Sequence, residues 1–92
     1  MEIKQKDDPE NGVFYIEQNG KIIAEMTYTW AGTDRIIIDH TQVDNSLKGQ
    51  GVGKQLVTKA VEFARAKHIK IVPICPFAKR VLEQTPAFSD VL

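Results

Sequence analysis

The chain has 92 residues, 42% hydrophobic and 26% charged, which suits one small globular domain and excludes a disordered tail or a two-domain enzyme. Twelve Lys plus Arg balance twelve Asp plus Glu, so no overall field points to nucleic acid or an anionic membrane. One cysteine, Cys75, excludes an internal disulfide and a multi-cysteine zinc site, and no His or Cys stands at ligand spacing from the aspartates, so no metal is expected.

A domain of this size buries roughly 60 to 65% of the surface its unfolded chain exposes, so a site must be built from its own strands and helices. The N-terminal MEIKQKDDPENG has no apolar signal core, and no run approaches the roughly 20 apolar residues of a membrane span. A soluble, cytoplasmic chain is expected. No repeat or linker appears, and residues 1–92 read as one domain.

A short strand is expected around Ile3, followed by a turn at Asp8-Pro9-Glu10-Asn11-Gly12. Residues 13–18 and 21–30 flank Asn19-Gly20, a dipeptide suited to the two positive φ values of a type I′ hairpin turn. Alternation puts Ile22, Ala24, Met26, Tyr28 and Trp30 on one face, expected to be core rather than a nucleic-acid platform. After a turn at residues 31–34, a strand over residues 35–43 carries Ile36-Ile37-Ile38, apolar on both faces as a central strand would be. The same alternation groups His40 with Ile36, Ile38 and Gln42.

From Gln50 or Gly51 to Lys67, Val52, Leu56, Ala60 and Ala64 recur every four residues, with Val57, Val61 and Phe63 widening the stripe of an amphipathic helix. Residues 69–74 form a further apolar strand, and residues 77–84 a short helix that Pro86 stops. His68 caps the long helix and complements its dipole. A strand, helix, strand order places those two strands parallel with a right-handed crossover. Pro73 cannot donate to a ladder, which favours a sheet edge or a local separation of strands, or simply ends the strand. The class is α+β or mixed α/β.

Between the central strand and the long helix lies Lys48-Gly49-Gln50-Gly51-Val52-Gly53-Lys54. Such a turn exposes backbone N–H groups at the positive end of a helix dipole, where phosphate binds. A P-loop reading fails, because spacing puts Lys48 at its first glycine and Gln55 at its hydroxyl residue. A dinucleotide fingerprint aligned on Gly49 and Gly51 fails too, with Lys54 at its third glycine.

The remaining pattern, [RQ]-x-x-G-x-[GA] before a helix, resembles the acyl-CoA pyrophosphate loop of the GNAT superfamily of N-acetyltransferases. Two more segments resemble its minimal single-domain branch, in which the central strand ends like HTEV and a later segment reads like PxCPF. Here they are His40-Thr41-Gln42-Val43 and Pro73-Ile74-Cys75-Pro76-Phe77. The order of elements over residues 13–84 matches as well. Lys48 departs from the usual arginine or glutamine, keeping charge but losing the planar fork. Gln42 departs from the glutamate of many relatives, removing a carboxylate base.

The resemblance implies a central, mostly antiparallel sheet, a long helix after the glycine loop, and transfer of an acetyl group from acetyl-CoA to an unidentified amine, including one on a protein. It implies that the amides of Gln50, Gly51, Val52, Gly53 and Lys54 cradle the pyrophosphate beside Lys48 and Gly49. The pantetheine arm would follow Thr41, Gln42 and Val43, with Pro76 and Phe77 on the cofactor side. A free cysteine is often only packing. Cys75, however, precedes Pro76 at a helix start, with Lys79 and Arg80 within a turn, where a thiolate is favoured. It would protonate the departing CoA thiolate or briefly accept the acyl group. His40 is a candidate general base or a hydrogen-bonded structural residue, histidine ordinarily titrating near neutrality.

Full-length members carry two helices between their first strands, for which the short turns at Asn19-Gly20 and residues 31–34 leave no room. The residues after Gln84 are too few for two closing strands, leaving Phe88, Val91 and Leu92 to pack on the sheet. So open an acceptor side suits a bulky substrate, a second subunit, or no acceptor at all, the last making the chain a non-catalytic acyl-CoA binder or sensor, or a plain interaction domain. A monomer or weak dimer is expected.

Overall fold

A computed structural model describes residues 2–92. Strands β1 (Lys4–Asp7), β2 (Asn11–Gln18), β3 (Lys21–Trp30) and β4 (Arg35–Val43) run antiparallel, each paired with the next. A 3-10 turn (Asn45–Leu47) leads through the glycine loop into helix α1 (Val52–Lys67). Strand β5 (Lys70–Pro73) then pairs parallel with β4, and helix α2 (Pro76–Gln84) and a 3-10 segment (Pro86–Val91) complete the described chain. The sheet order is β1-β2-β3-β4-β5, with only β4 and β5 parallel. The α+β class expected from the sequence, with two parallel strands joined through the long helix, is the fold observed.

Each element has a local cause. Asn19 and Gly20 take φ of 53° and 77°, the geometry of a tight hairpin. Pro76 opens α2 at its first position, where the missing N–H costs no helical bond. His68 ends α1 in the left-handed region, its N–H bonded to the Ala64 and Arg65 carbonyls. Pro86 follows α2 and starts the 3-10 segment.

The apolar stripe of α1, with Leu56, Val57, Ala60, Val61 and Ala64 fully buried, packs on Met26, Tyr28, Ile36 and Ile38 in one core cluster. Ala78 and Leu82 of α2 join the same cluster, so both helices cover one face of the sheet. Among the described residues no helix covers the other face. Tyr28 closes one end of the core: its ring stacks obliquely on Phe14 and Phe63, and its hydroxyl donates to Asp7 and accepts from Gln5. Burial and the Asp7 carboxylate push that hydroxyl's pKa upward.

Two bulges alter the expected faces. The ladder between β2 and β3 slips at Ile16/Glu17, so Ile23 is buried with Ala24 while Ile22 is 47% exposed rather than core. The ladder between β3 and β4 slips at Thr27/Tyr28: Ile38 opposes Tyr28, yet His40 opposes Thr27. His40 therefore lies on the bare face, not with Ile36 and Ile38, and Thr41 turns inward opposite Met26. Leu92 is exposed at 46%, whereas Val91 is buried and Phe88 packs against the core.

The C-terminal segment is held by Arg65, whose guanidinium donates to both Asp90 carboxylate oxygens at 2.8 and 2.9 Å and to the Ala87 carbonyl. The Arg65 bond holds the Asp90 carboxyl below the usual carboxylate range. A depressed folded value means the contribution to stability is present above the unfolded carboxylate pKa, about 4, and is lost as pH falls through the folded value. Asp90→Asn is expected to flatten that acid-side loss in urea denaturation measured over a descending pH series.

Candidate active site

Beyond the pair formed by Ile38 and Pro73 the two parallel strands part. Ile74 and Cys75 both donate their backbone N–H to the Ile38 carbonyl, at 3.2 and 3.1 Å, and α2 begins at once. The start of a helix at Pro76, rather than proline in the ladder alone, takes the chain away from β4. Residues 39–43 consequently have no strand partner on that side.

The loop into α1 is anchored by Leu47, which is buried, and by Asp44, whose carboxylate accepts from the Ser46 N–H at 2.9 Å. Gly49 and Gly51 sit at φ of 83° and 69°, with open space where a Cβ would stand. Gly51 is the N-cap of α1 and supplies no side chain to the orphan amides, which stay free for an anion. Gly53 is constrained differently: a Cβ there would meet the Phe77 ring at 2.5 Å. Absence of a side chain lets the first turns of α1 and α2 touch.

These elements enclose a cleft of about 500 Å³ lined by Thr41, Val43, Lys48, Gly49, Gly51, Val52, Gly53, Lys54 and Phe77, together with Leu47 and Val81. Of the residues expected at a cofactor site, Gln42, Gln50 and Pro76 are not in this lining. The side chain of Gln42 shares the bare face with His40 and lines a separate groove with Ile22 and Glu25. Motif spacing does not single out Leu47 and Val81, although Leu47 is the last apolar residue before the loop and Val81 follows Phe77 by one helical turn.

Cys75 is buried at 7% exposure and is the N-cap of α2. Its sulfur bonds the Thr41 hydroxyl at 3.4 Å and makes no regular capping bond. Burial pushes the thiol up, but the Thr41 hydroxyl and the amides of Ala78 and Phe77 outweigh it, so the pKa lies below the ordinary thiol value. Lys79 and Arg80 are exposed and do not account for the shift. His40 and Cys75 stand on opposite faces of the sheet, flanking the opening between β4 and β5.

A second groove, of about 510 Å³, opens beside Lys6, Asp7, Asp8, Thr27, Thr29 and Asp39. Its carboxylates already serve the fold: Asp7 accepts from Tyr28 and Trp30, Asp8 from the Glu10 and Asn11 amides, and Asp39 from Thr29. The other cleft has unpaired helix-start amides at its rim and is lined by Thr41, whose hydroxyl contacts the Cys75 sulfur.

Residues 13–91 match the family of GCN5-related N-acetyl-transferases. A GCN5-like protein of the N-acetyltransferase type from Staphylococcus aureus is 43% identical, with a TM-score of 0.77 over 98% of this chain and 85% of that one. Protein NATD1 of Xenopus tropicalis is 24% identical over 85 residues, which are 91% of this chain and 78% of the relative. A streptothricin-acetyltransferase-type protein from Bacillus anthracis, solved in complex with acetyl coenzyme A, shares the fold at 20% identity and a TM-score of 0.59, covering 73% of this chain and 39% of its own. With a family match over residues 13–91, the chain belongs to the GCN5-related N-acetyltransferases.

Proposed function

We propose that this acetyltransferase takes its acetyl group from acetyl-CoA, holding the pyrophosphate on the amides of residues 51–54, the Gln50 N–H being bonded instead to the Leu47 carbonyl, and the pantetheine arm along residues 41–43. The observation that carries this reading is the continuity of one cleft: Thr41 and Val43 beside the parted strands, Gly51, Gly53 and Lys54 at the helix start. Lys48 and Lys54 add positive charge to the free amides. The acetyl-CoA-bound neighbour of the same fold supports the choice of donor.

In the transfer an amine nitrogen attacks the acetyl carbonyl, forming a C–N bond as the C–S bond to coenzyme A breaks. The nitrogen loses a proton and the departing thiolate gains one. His40 on the bare face suits the first task, for an amine arriving from that side. Cys75 on the helix face suits the second, as proton donor. In the alternative route its sulfur takes the acetyl group as coenzyme A leaves, and the amine then displaces that sulfur. With no wall of helices over the bare face among the described residues, a bulky acceptor such as a protein amine fits best.

Residues 1–92 act in this reading as one acyl-CoA-binding unit. Among the described residues no helix is long and apolar enough to cross a membrane. A working free thiol suits a reducing compartment, and we place the chain in the cytoplasm. Acetyl-CoA at 100 times its Kd is expected to stabilise the fold by about 2.7 kcal/mol, a rise in melting temperature on the order of 10–20 °C. Mass spectrometry after incubation with acetyl-CoA and an amine panel then identifies the acetylated product. Absence of any thermal shift at saturation would refute the donor site.

A further inference from the structure

The Cys75 thiol has one side-chain hydrogen-bond partner, the Thr41 hydroxyl, 3.4 Å away and 34 residues distant in sequence. The bulge in β4 creates this contact: it turns Thr41 inward opposite Met26 while His40 and Gln42 face the other side. On the inward face of β4, where Ile36, Ile38 and Val43 are the other side chains, Thr41 brings the sole hydroxyl to the sulfur.

We propose that Thr41 is a positioning residue for Cys75, fixing the sulfur at the junction of β4 and α2 and donating to it once its proton has left. The inference rests on the reading that Cys75 acts in acetyl transfer. In the thiol form S–H donates to the hydroxyl oxygen; after ionisation the hydroxyl O–H reverses and donates to sulfur. One contact therefore holds the group in both protonation states. Every charged or titratable side chain of β4, α1, β5 and α2, among them Asp39 and His40 of β4, Lys54 of α1, Lys70 of β5, and Lys79 and Arg80 of α2, is exposed. None is a cause of the thiol's shift, which the Thr41 hydroxyl, the Ala78 and Phe77 amides and the Thr41 backbone produce against the opposing effect of burial.

Valine matches threonine in shape, so a packing role survives Thr41→Val and a hydrogen-bonding role does not. Cys75 is the only thiol, so alkylation by iodoacetamide and ultraviolet thiolate absorbance over a pH series report it alone. Circular dichroism melts first establish that each variant is folded. Thr41→Val is expected to slow alkylation at neutral pH by on the order of tenfold, the scale of one hydrogen bond to a charged group, and to move the thiolate midpoint to higher pH. Thr41→Ser is expected to restore both. An unchanged midpoint in Thr41→Val, or a serine variant that behaves like the valine one, overturns the proposal. Neither readout needs acetyl-CoA. If the midpoint moves as stated but Cys75→Ala keeps full transfer, the catalytic reading of Cys75 fails while the thiol contact stands.

Discussion

Replacing Cys75 by alanine is expected to lower acetyl transfer by about 10²-fold or more, the usual contribution of a positioned acid or nucleophile, while acetyl-CoA still raises the melting temperature. The separation of effects follows from geometry. Cys75 is at the N-cap of α2 facing Thr41, and it is absent from the lining of the loop cleft. The truncation also vacates a small buried volume, with a stability cost that melting measures independently. Serine in place of Cys75 keeps a hydrogen-bonding group but not the acidity, so it should rescue stability without rescuing transfer. Transfer by the alanine variant at the wild-type rate would remove both the proton-donor and the acyl-acceptor roles.

The second large effect is expected at Gly53. An added Cβ would stand 2.5 and 2.7 Å from two Phe77 ring carbons, well inside contact distance. The ring belongs to the first turn of α2 and is 37% exposed, so it yields by swinging outward rather than by compressing the core. Gly53→Ala is expected to destabilise the fold by about 1 kcal/mol, the low end for overpacking because the ring can move and because alanine favours the helix, or roughly 4–8 °C in melting temperature. Because Gly53 and Phe77 both line the cleft, acetyl-CoA binding should weaken in the same variant. Phe77→Ala in the Gly53→Ala background removes the clash. The two changes should then cost less together than the sum of each alone, a coupling that urea denaturation of all four forms measures. Additive costs would mean that the ring and the glycine do not constrain each other.

Features that depend on short stretches are legible in the amino-acid sequence alone. Asn19-Gly20 defines its turn by its own φ preferences, the α1 stripe declares its buried face, and Pro76 marks the start of α2. The bulges are not legible there, since a ladder slip depends on the partner strand and alternation within one strand assumes an unbroken register. That is why alternation places Ile22 in the core and His40 on the face of Ile36 and Ile38, and the folded chain does neither. The same slip hides the candidate site's most specific contact, between Thr41 and Cys75. Glycine spacing singles out the loop, but the apolar walls at Leu47 and Val81 depend on how α2 docks against α1.

Pro73 has a consequence away from the cleft. Ile74 turns its N–H to β4, so the alternate residue, Pro73, presents its nitrogen to the free edge of the sheet, where it has no proton to offer. At the opposite edge β1 carries Lys4 and Lys6. A strand from another molecule therefore meets a missing donor on one side and a row of charges on the other, and the sheet resists growing into a polymer at both of its margins.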